Sequence, residues 1–242
     1  DSSTKTVIKK AVKYLDLQFL EHYHKLLEKA TKVAKEKGNK KYVAYLAKNH
    51  LNYFAIQYLY MRSFYADISM DKETTKAVTY YTNQSEKYWN TYNLYAKGQL
   101  ALALFRTDKK VVANKILKSL KENSITSDEL GMYWKSNTAG YKYYQAPIET
   151  HALLIEVFSE LEKNPETIDH LKIWLLKNKQ TNSWKTTKAT TEAIYALLLN
   201  GTDWVSITEM VAIEVGRKEI NPAKLTNTQI ESGTGYFKTS WN

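Results

Sequence analysis

Three tryptophans recur at similar distances along this chain, and an apolar segment with helical periodicity follows each one. Trp184 follows a short turn and precedes the segment 187–198, which is apolar on nearly all sides. Trp134 and Trp89 precede weaker copies, and 45 residues separate Trp89 from Trp134 while 50 separate Trp134 from Trp184. A spacing of this size predicts one helical hairpin per repeat, as in stacked or ring-shaped α/α architectures.

The chain is poor in residues that interrupt helices, with three prolines and eight glycines among 242 residues. We therefore predict a mainly α fold, an α/α toroid of helical hairpins, and we expect its second helix to be well buried. A long aromatic-rich loop is predicted over 124–146. The predicted helices span about 6–35, 41–67, 72–89 and 92–106, then one capped by Asp108, one from Pro147, one from Pro165 to Lys177, and one from Thr187 to Asn200.

The periodicity changes after Gly201, where Val211, Ile213 and Val215 alternate with other residues as in a strand. We predict a helical domain over 1–200 and a β segment over 201–242 that is too small to close a sheet alone. That segment is expected to belong to a domain continuing beyond this chain. Because the sequence starts at Asp1 without a signal segment, we expect it to be a piece of a longer protein.

The formal net charge is +10, yet the arrangement of charges argues against nucleic acid as a partner. Only three basic residues are arginine, and arginine is the side chain best suited to bidentate reading of bases and phosphates.

The chain has no cysteine, which excludes disulfides, thiolate metal sites and a cysteine nucleophile within it. It has no apolar run of about 18 residues that could span a membrane. Nineteen tyrosines suit packing between helices or, if they cluster on one rim, contact with protein or glycan.

Few residues of the sequence form a pattern that is typical of a catalytic or metal-binding site. Glu21, His24 and Glu28 share one helix face beside His22, and we interpret this face as polar surface rather than as a metal site. Glycosidases use two carboxylates, but no sequence context distinguishes the four candidates, so we expect no catalytic residue, cofactor or metal. The absence of sharp catalytic motifs favours a binding or structural domain. The four candidate carboxylates are Glu149, Glu192, Asp67 and Asp71.

The turn around Trp184 resembles a signature of the bacterial α2-macroglobulin family, near the end of its helical thioester-type domain. The residues that carry the resemblance are Gln180, Trp184, Thr190 and Glu192, supported by 58–64, 92–97, 211–216 and 232–241. The resemblance covers about residues 40–242. A similar Gln-Trp turn recurs in terpene-cyclase-like and prenyltransferase-like toroids, but the β continuation does not.

This resemblance implies a protein of the periplasm or cell envelope, often lipid-anchored, that traps proteinases after they cut a bait region. Members with a thioester use a cysteine in this domain to attach the proteinase covalently, and this chain has no cysteine. The cysteine could precede Asp1, but we favour a member without a thioester. The expected role is then structural and docking, with neighbouring β domains, including a CUB-like one, and trapped proteinases as partners. The expected structural motif is Gln180, Trp184, Thr190, Glu192, Trp134 and Trp89.

Two other functions stay open at this stage. One is an α/α-toroid enzyme acting on glycans or lipids through paired carboxylates, which predicts a deep cavity lined by acids and aromatics. The other is a helical-repeat scaffold for protein interactions. An interior filled by apolar side chains would favour the structural domain.

Overall fold

A computed structural model describes residues 2–179 and 184–199, together with short strands within 213–238. The chain divides into two compact units, Asp1–Ala196 and Leu197–Asn242. The predicted boundary after residue 200 lies a few residues beyond this division, which falls inside the last helix.

The described part of the chain is mainly helical, as predicted, and its β structure is small. None of its helices combines the length and the apolar character that crossing a membrane requires. A 3₁₀ turn, Trp89–Thr91, precedes α5. The helices are α1 Ser2–Lys37, α2 Lys40–Leu46, α3 Tyr53–Arg62, α4 Lys72–Tyr88, α5 Leu94–Arg106, α6 Lys110–Glu122, α7 Pro147–Leu161, α8 Pro165–Lys177 and α9 Thr187–Leu199.

Helix boundaries follow local capping chemistry. The side chains of Asn52, Asp71, Asn93 and Asn164 each accept a hydrogen bond from a backbone N–H in the first turn of α3, α4, α5 and α8. The predicted cap at Asp108 is wrong: this residue has φ 64°, and Lys109 precedes α6 without a side-chain cap.

The single helix predicted over 41–67 is also wrong, because the chain leaves the helical path between α2 and α3. Asn52 caps α3 through Ala55 N, and His50 N donates to Gln84 Oε1 at 2.9 Å. A capping asparagine with extended backbone cannot continue a helix. Part of the apolar face expected to be buried is exposed, since Val43 is 70% and Phe54 42% accessible.

α3, α5 and α7 pack side by side, with α5 in the middle. α5 contacts α3 on one side and α7 on the other, while α4, α6 and α8 pack against their neighbours in sequence. α5 is buried over Gly98–Leu104, and a Cβ added at Gly98 would lie 3.0 Å from Leu153 Cδ2 of α7. This alternation is the hairpin pattern that the repeat spacing predicts; closure into a ring stays a prediction.

The predicted loop 124–146 contains a short antiparallel hairpin of β1, Ile125–Ser127, and β2, Gly131–Tyr133. β2 packs against α8. Gly131 has φ +71°, and a side chain there would collide with the backbone carbonyl of His170 and lie 2.9 Å from Trp174 N. Glycine is thus required both by the backbone angle and by the close approach.

A buried ion pair joins α1 to α3. Arg62 Nε donates to Asp16 Oδ1 at 3.0 Å, and Tyr58 Oη donates to the same oxygen at 2.6 Å. The Arg62 guanidinium also donates to the carbonyls of Tyr65 and Ile68, which orders the turn after α3. Around this pair, α1 buries Val12, Phe19, Leu26 and Ala30, and Phe19 stacks on Tyr58 with centroids 3.7 Å apart.

Among the described residues of the second unit are two antiparallel strand pairs. β3, Ile213–Val215, pairs with β4, Lys218–Ile220, and β5, Gln229–Ile230, pairs with β6, Phe237–Lys238. The predicted strand around Ile213 and Val215 coincides with β3, whereas Val211 lies outside the described residues.

Candidate functional site

Two of the predicted tryptophans, Trp134 and Trp184, perform the same structural task. Trp134 Nε1 donates to Leu120 O at 2.8 Å, and Trp184 Nε1 donates to Leu175 O at 3.1 Å. Both carbonyls lie in the last turn of a helix, α6 or α8, where the backbone oxygens have no partner within the helix. The two indoles are only 2% and 5% exposed. We call these segments the tryptophan clasps, because each fastens a loop to the end of the helix before it.

The remaining motif residues divide between two places. Thr190 Oγ1 accepts from Trp184 N at 3.2 Å and donates to Thr186 O at 3.1 Å, so it belongs to the second clasp. Trp89 is half-buried in the 3₁₀ turn, with Lys97 Nζ 5.8 Å from its ring centroid, and its environment is unlike that of the clasps. Glu192 lines a cavity instead, and Gln180 lies outside the described residues.

That cavity, of about 50 Å³, is lined by residues of α3, α5, α7 and α9. Three glutamates and three tyrosines supply its polar groups, and Ala152 and Leu153 complete it. We call it the acidic cavity. Its polar lining residues are Tyr60, Tyr95, Glu149, Glu156, Glu192 and Tyr195.

Arg106 neutralises one side of the acidic cavity. Its guanidinium forms ion pairs with Glu156 and Glu160, and Tyr60 Oη donates to Glu156 Oε2 at 2.9 Å. Burial opposes the positive charge, but the hydrogen bonds to Glu160 and Glu156 outweigh it and raise the pKa of Arg106. The same guanidinium lies 4.2 Å from the ring centroid of Phe64. Glu156 and Glu160 therefore belong to a partly buried ion-pair cluster on α7.

The other two carboxylates of the cavity lack such a partner. Within residues 2–179 and 184–199, the side chains of Glu149 and Glu192 form no hydrogen bond or ion pair, although both residues are half-buried. Burial raises the pKa of Glu192, repulsion from Glu149 and Glu156 adds to this increase, and Lys188 opposes it. The cavity thus holds two carboxylates whose negative charge is only partly compensated.

Five tyrosines form a continuous edge beside this cavity, at the N-terminal ends of α3 and α5 and in the loop before α7. Tyr53 stacks on Tyr144 with centroids 4.3 Å apart and meets Tyr92 edge-on at 5.8 Å. The ring centroid of Tyr143 lies 5.3 Å from that of Tyr144 and 6.4 Å from that of Tyr95. We call this set, Tyr53, Tyr92, Tyr95, Tyr143 and Tyr144, the tyrosine rim.

Tyr95 belongs to both features. It lines the acidic cavity, and its ring meets Tyr143 of the rim edge-on. Burial, with repulsion from Glu192, Tyr143 and Glu149, raises the pKa of Tyr95 to about 12. The tyrosine rim and the acidic cavity are therefore parts of one surface.

Two of the four candidate carboxylates do not reach this surface. Asp71 accepts hydrogen bonds from Thr74 N and Thr74 Oγ1 as the cap of α4, and Asp67 is exposed in the turn before it.

On α1, Glu21 pairs with Lys25 at 2.8 Å, and His22 Nε2 is 2.9 Å from Asn52 Nδ2. No group of three potential metal ligands occurs in the described segments.

His151 is a buried core residue packed between two tryptophans. Its Nε2 donates to Leu171 O at 2.8 Å, and its ring stacks on Trp174 at 4.2 Å and meets Trp134 at 6.0 Å. Burial lowers the pKa of His151 to about 4, and its hydrogen bond to Leu171 only partly offsets this effect. The neutral ring helps to attach α8 and the first clasp to α7.

Sequence reasoning missed Arg106, Tyr60, Tyr95 and Tyr195. Each lies in a helix that was predicted, but the sequence pattern does not reveal how neighbouring helices are rotated toward one another.

A scan of protein-family models and a search of the curated proteins both find no match to this chain.

Proposed function

We propose that this chain is the helical structural and docking domain of an α2-macroglobulin-like protein, a broad proteinase-trapping inhibitor that acts here without a covalent thioester. The protein would belong to the periplasm or cell envelope. Its partners would be trapped proteinases and the neighbouring β domains of the same protein. In this proposal the domain performs no catalysis and binds no cofactor.

The tryptophan clasps carry this proposal. The most distinctive motif of the chain is used for packing, since both indoles are buried and bonded to helix ends. Residues kept for catalysis usually lie in an open cavity, where they can meet a substrate. Clasps that lock each loop to the helix before it favour a rigid body that moves as a unit when a larger protein rearranges.

The absence of cysteine supports trapping without a covalent bond from this domain, because a thioester needs a cysteine sulfur. The size of the acidic cavity supports a role other than small-molecule turnover. At about 50 Å³ it is well below the roughly 300 Å³ at which pockets for drug-sized ligands begin.

The test uses the full-length parent protein and a general proteinase. Limited cleavage, compaction on native gels and in size-exclusion chromatography, and selective loss of activity on large substrates would be expected. A catalytically inactive form of the same proteinase is the control and should cause no compaction. Progressive degradation without a change of shape would overturn the proposal.

One observation favours a second function, an α/α-toroid enzyme acting on glycans or lipids. Glu149 and Glu192 come from different helices and line the same cavity, as acid and base do in glycosidases. A screen of oligosaccharides and lipid esters would test this function. Turnover that Glu149→Gln abolishes would favour the enzyme, and absence of turnover would favour the structural domain.

A further inference from the structure

The acidic cavity and the tyrosine rim form one partly exposed surface that the clasp-based proposal does not use, since Tyr143 is exposed and the other four rim tyrosines are half-buried. Tyr143 is 48% exposed, Tyr195 is 47% exposed, and Tyr141 next to the rim is fully exposed. Tyrosines that serve only to fill space between helices would be covered, as Tyr58 and Tyr81 are in the core. A cluster of aromatic rings that is partly open to solvent is typical of surfaces that contact another molecule.

The charge of the acidic cavity differs from that of the whole molecule. The chain carries a formal charge of +10, yet none of the described residues that line the cavity is a lysine or an arginine. Arg106 forms ion pairs with Glu156 and Glu160, which leaves Glu149 and Glu192 to attract a cation. Lys188 compensates Glu192 in part. A cationic group entering the cavity would reduce the repulsion between the carboxylates. Binding of such a group is favourable because this repulsion is relieved.

The volume of the cavity restricts the size of the group that enters. A water molecule needs roughly 10–15 Å³ of free volume, so a cavity of about 50 Å³ has room for an ammonium group. The negative charges of Glu149 and Glu192 then favour an amine over an uncharged group.

The tyrosine rim suits what is attached to that amine. Tyrosine faces attract cations and also pack against methylene groups and peptide planes. We infer that this surface binds a lysine side chain on an extended polypeptide, with its ammonium group in the acidic cavity beside Glu149 and Glu192. The polypeptide backbone crosses the tyrosine rim at Tyr95 and Tyr143. This inference goes beyond the proposed function, because it holds whether or not the parent protein traps proteinases.

The test is a titration of the full chain with the peptide acetyl-Gly-Gly-Lys-Gly-Gly-amide, followed by chemical-shift changes of the tyrosine rings in NMR spectra. The peptide with norleucine in place of lysine has the same methylenes without the charge and is the ligand control. We expect saturable shifts of the rim tyrosines with lysine and at least tenfold weaker binding with norleucine, about 1.4 kcal/mol.

Three variants and one control locate the site. Glu149→Gln and Glu192→Gln should each weaken binding of the lysine peptide severalfold, while the matched control Glu122→Gln, which removes one exposed carboxylate from α6, should not. Tyr143→Ala, at an exposed position, should weaken both peptides while the thermal unfolding midpoint stays the same. Equal binding of the lysine and norleucine peptides, no binding of either, or tighter binding of chitotriose than of the lysine peptide would each overturn the inference.

Discussion

At the scale of single residues, Gly131 illustrates a position where the backbone leaves no room for a side chain. We predict that Gly131→Ala lowers the free energy of unfolding by more than about 2 kcal/mol, because φ +71° strains an L-residue and the added Cβ collides with the α8 backbone. Gly38→Ala is a matched control, since Gly38 also has a positive φ, +90°, but has no atom within 4 Å of its added Cβ. Denaturant unfolding of both variants measures the difference, and equal losses would show that close packing of β2 on α8 does not matter.

His151 predicts a pH dependence of stability. Its pKa is about 4 in the folded chain and near 6.5 when unfolded, so between these values only the unfolded chain binds the proton. The stability that this residue contributes is therefore complete above pH 6.5 and declines as the pH falls toward 4, by about 3 kcal/mol in total.

The measurement is the free energy of unfolding between pH 4 and pH 7 for the parent chain and for His151→Gln. The variant is expected to be less stable at pH 7 and to show a shallower slope. His24→Gln alters an exposed histidine and should keep the parental slope. A parental slope in His151→Gln would contradict the assignment of the pH dependence to this residue.

At the scale of elements, the clasps determine how each loop joins the helix before it. Trp134→Ala and Trp184→Ala should each lower the free energy of unfolding by about 3 kcal/mol or more. Each substitution removes a large buried ring together with its hydrogen bond to a carbonyl at the end of a helix. Trp→Phe at either position keeps most of the ring volume and should cost less.

Thermal unfolding of the alanine variants checks this prediction. Trp89→Ala, at a half-buried tryptophan, is the comparison and should have the smallest effect of the three. Unchanged melting of Trp184→Ala would speak against a structural role for the second clasp.

Element boundaries were predictable where a local signal exists. Asn164 before Pro165 is visible as a cap in the sequence, and α8 begins there. The cap at Asn93 was not predicted, since the predicted helix 92–106 begins before it. The break between α2 and α3 was missed, because the apolar pattern of residues 41–67 continues through it. There the cap at Asn52 and the bond from His50 to Gln84 of α4 interrupt the helix, and the second of these is a tertiary contact.

At the scale of the whole molecule, Arg106 is the residue that connects the most elements around the acidic cavity. It extends from α5 to Glu156 and Glu160 of α7 and to Ser63 Oγ after α3, 3.2 Å away. We predict that Arg106→Met lowers the free energy of unfolding by about 2 kcal/mol, since two partly buried carboxylates lose their cation.

The control for this variant is Lys109→Met, which removes a more exposed pair with Glu86 and should cost less than about 1 kcal/mol. Equal losses in urea unfolding would indicate that the Arg106 ion pairs contribute no more than a surface pair.

The sequence by itself determined the helical class, most helix positions, the repeat that places Trp134 and Trp184, and the absence of any cysteine chemistry. These properties depend on composition, capping residues and periodicity, which act over a few residues. Only the tertiary structure decided that Glu149 and Glu192 line one cavity, that Arg106 shields Glu156, and that the tyrosines form a rim. The reason is that these arrangements depend on how helices far apart in sequence rotate and pack against each other, and periodicity within one helix does not specify that rotation.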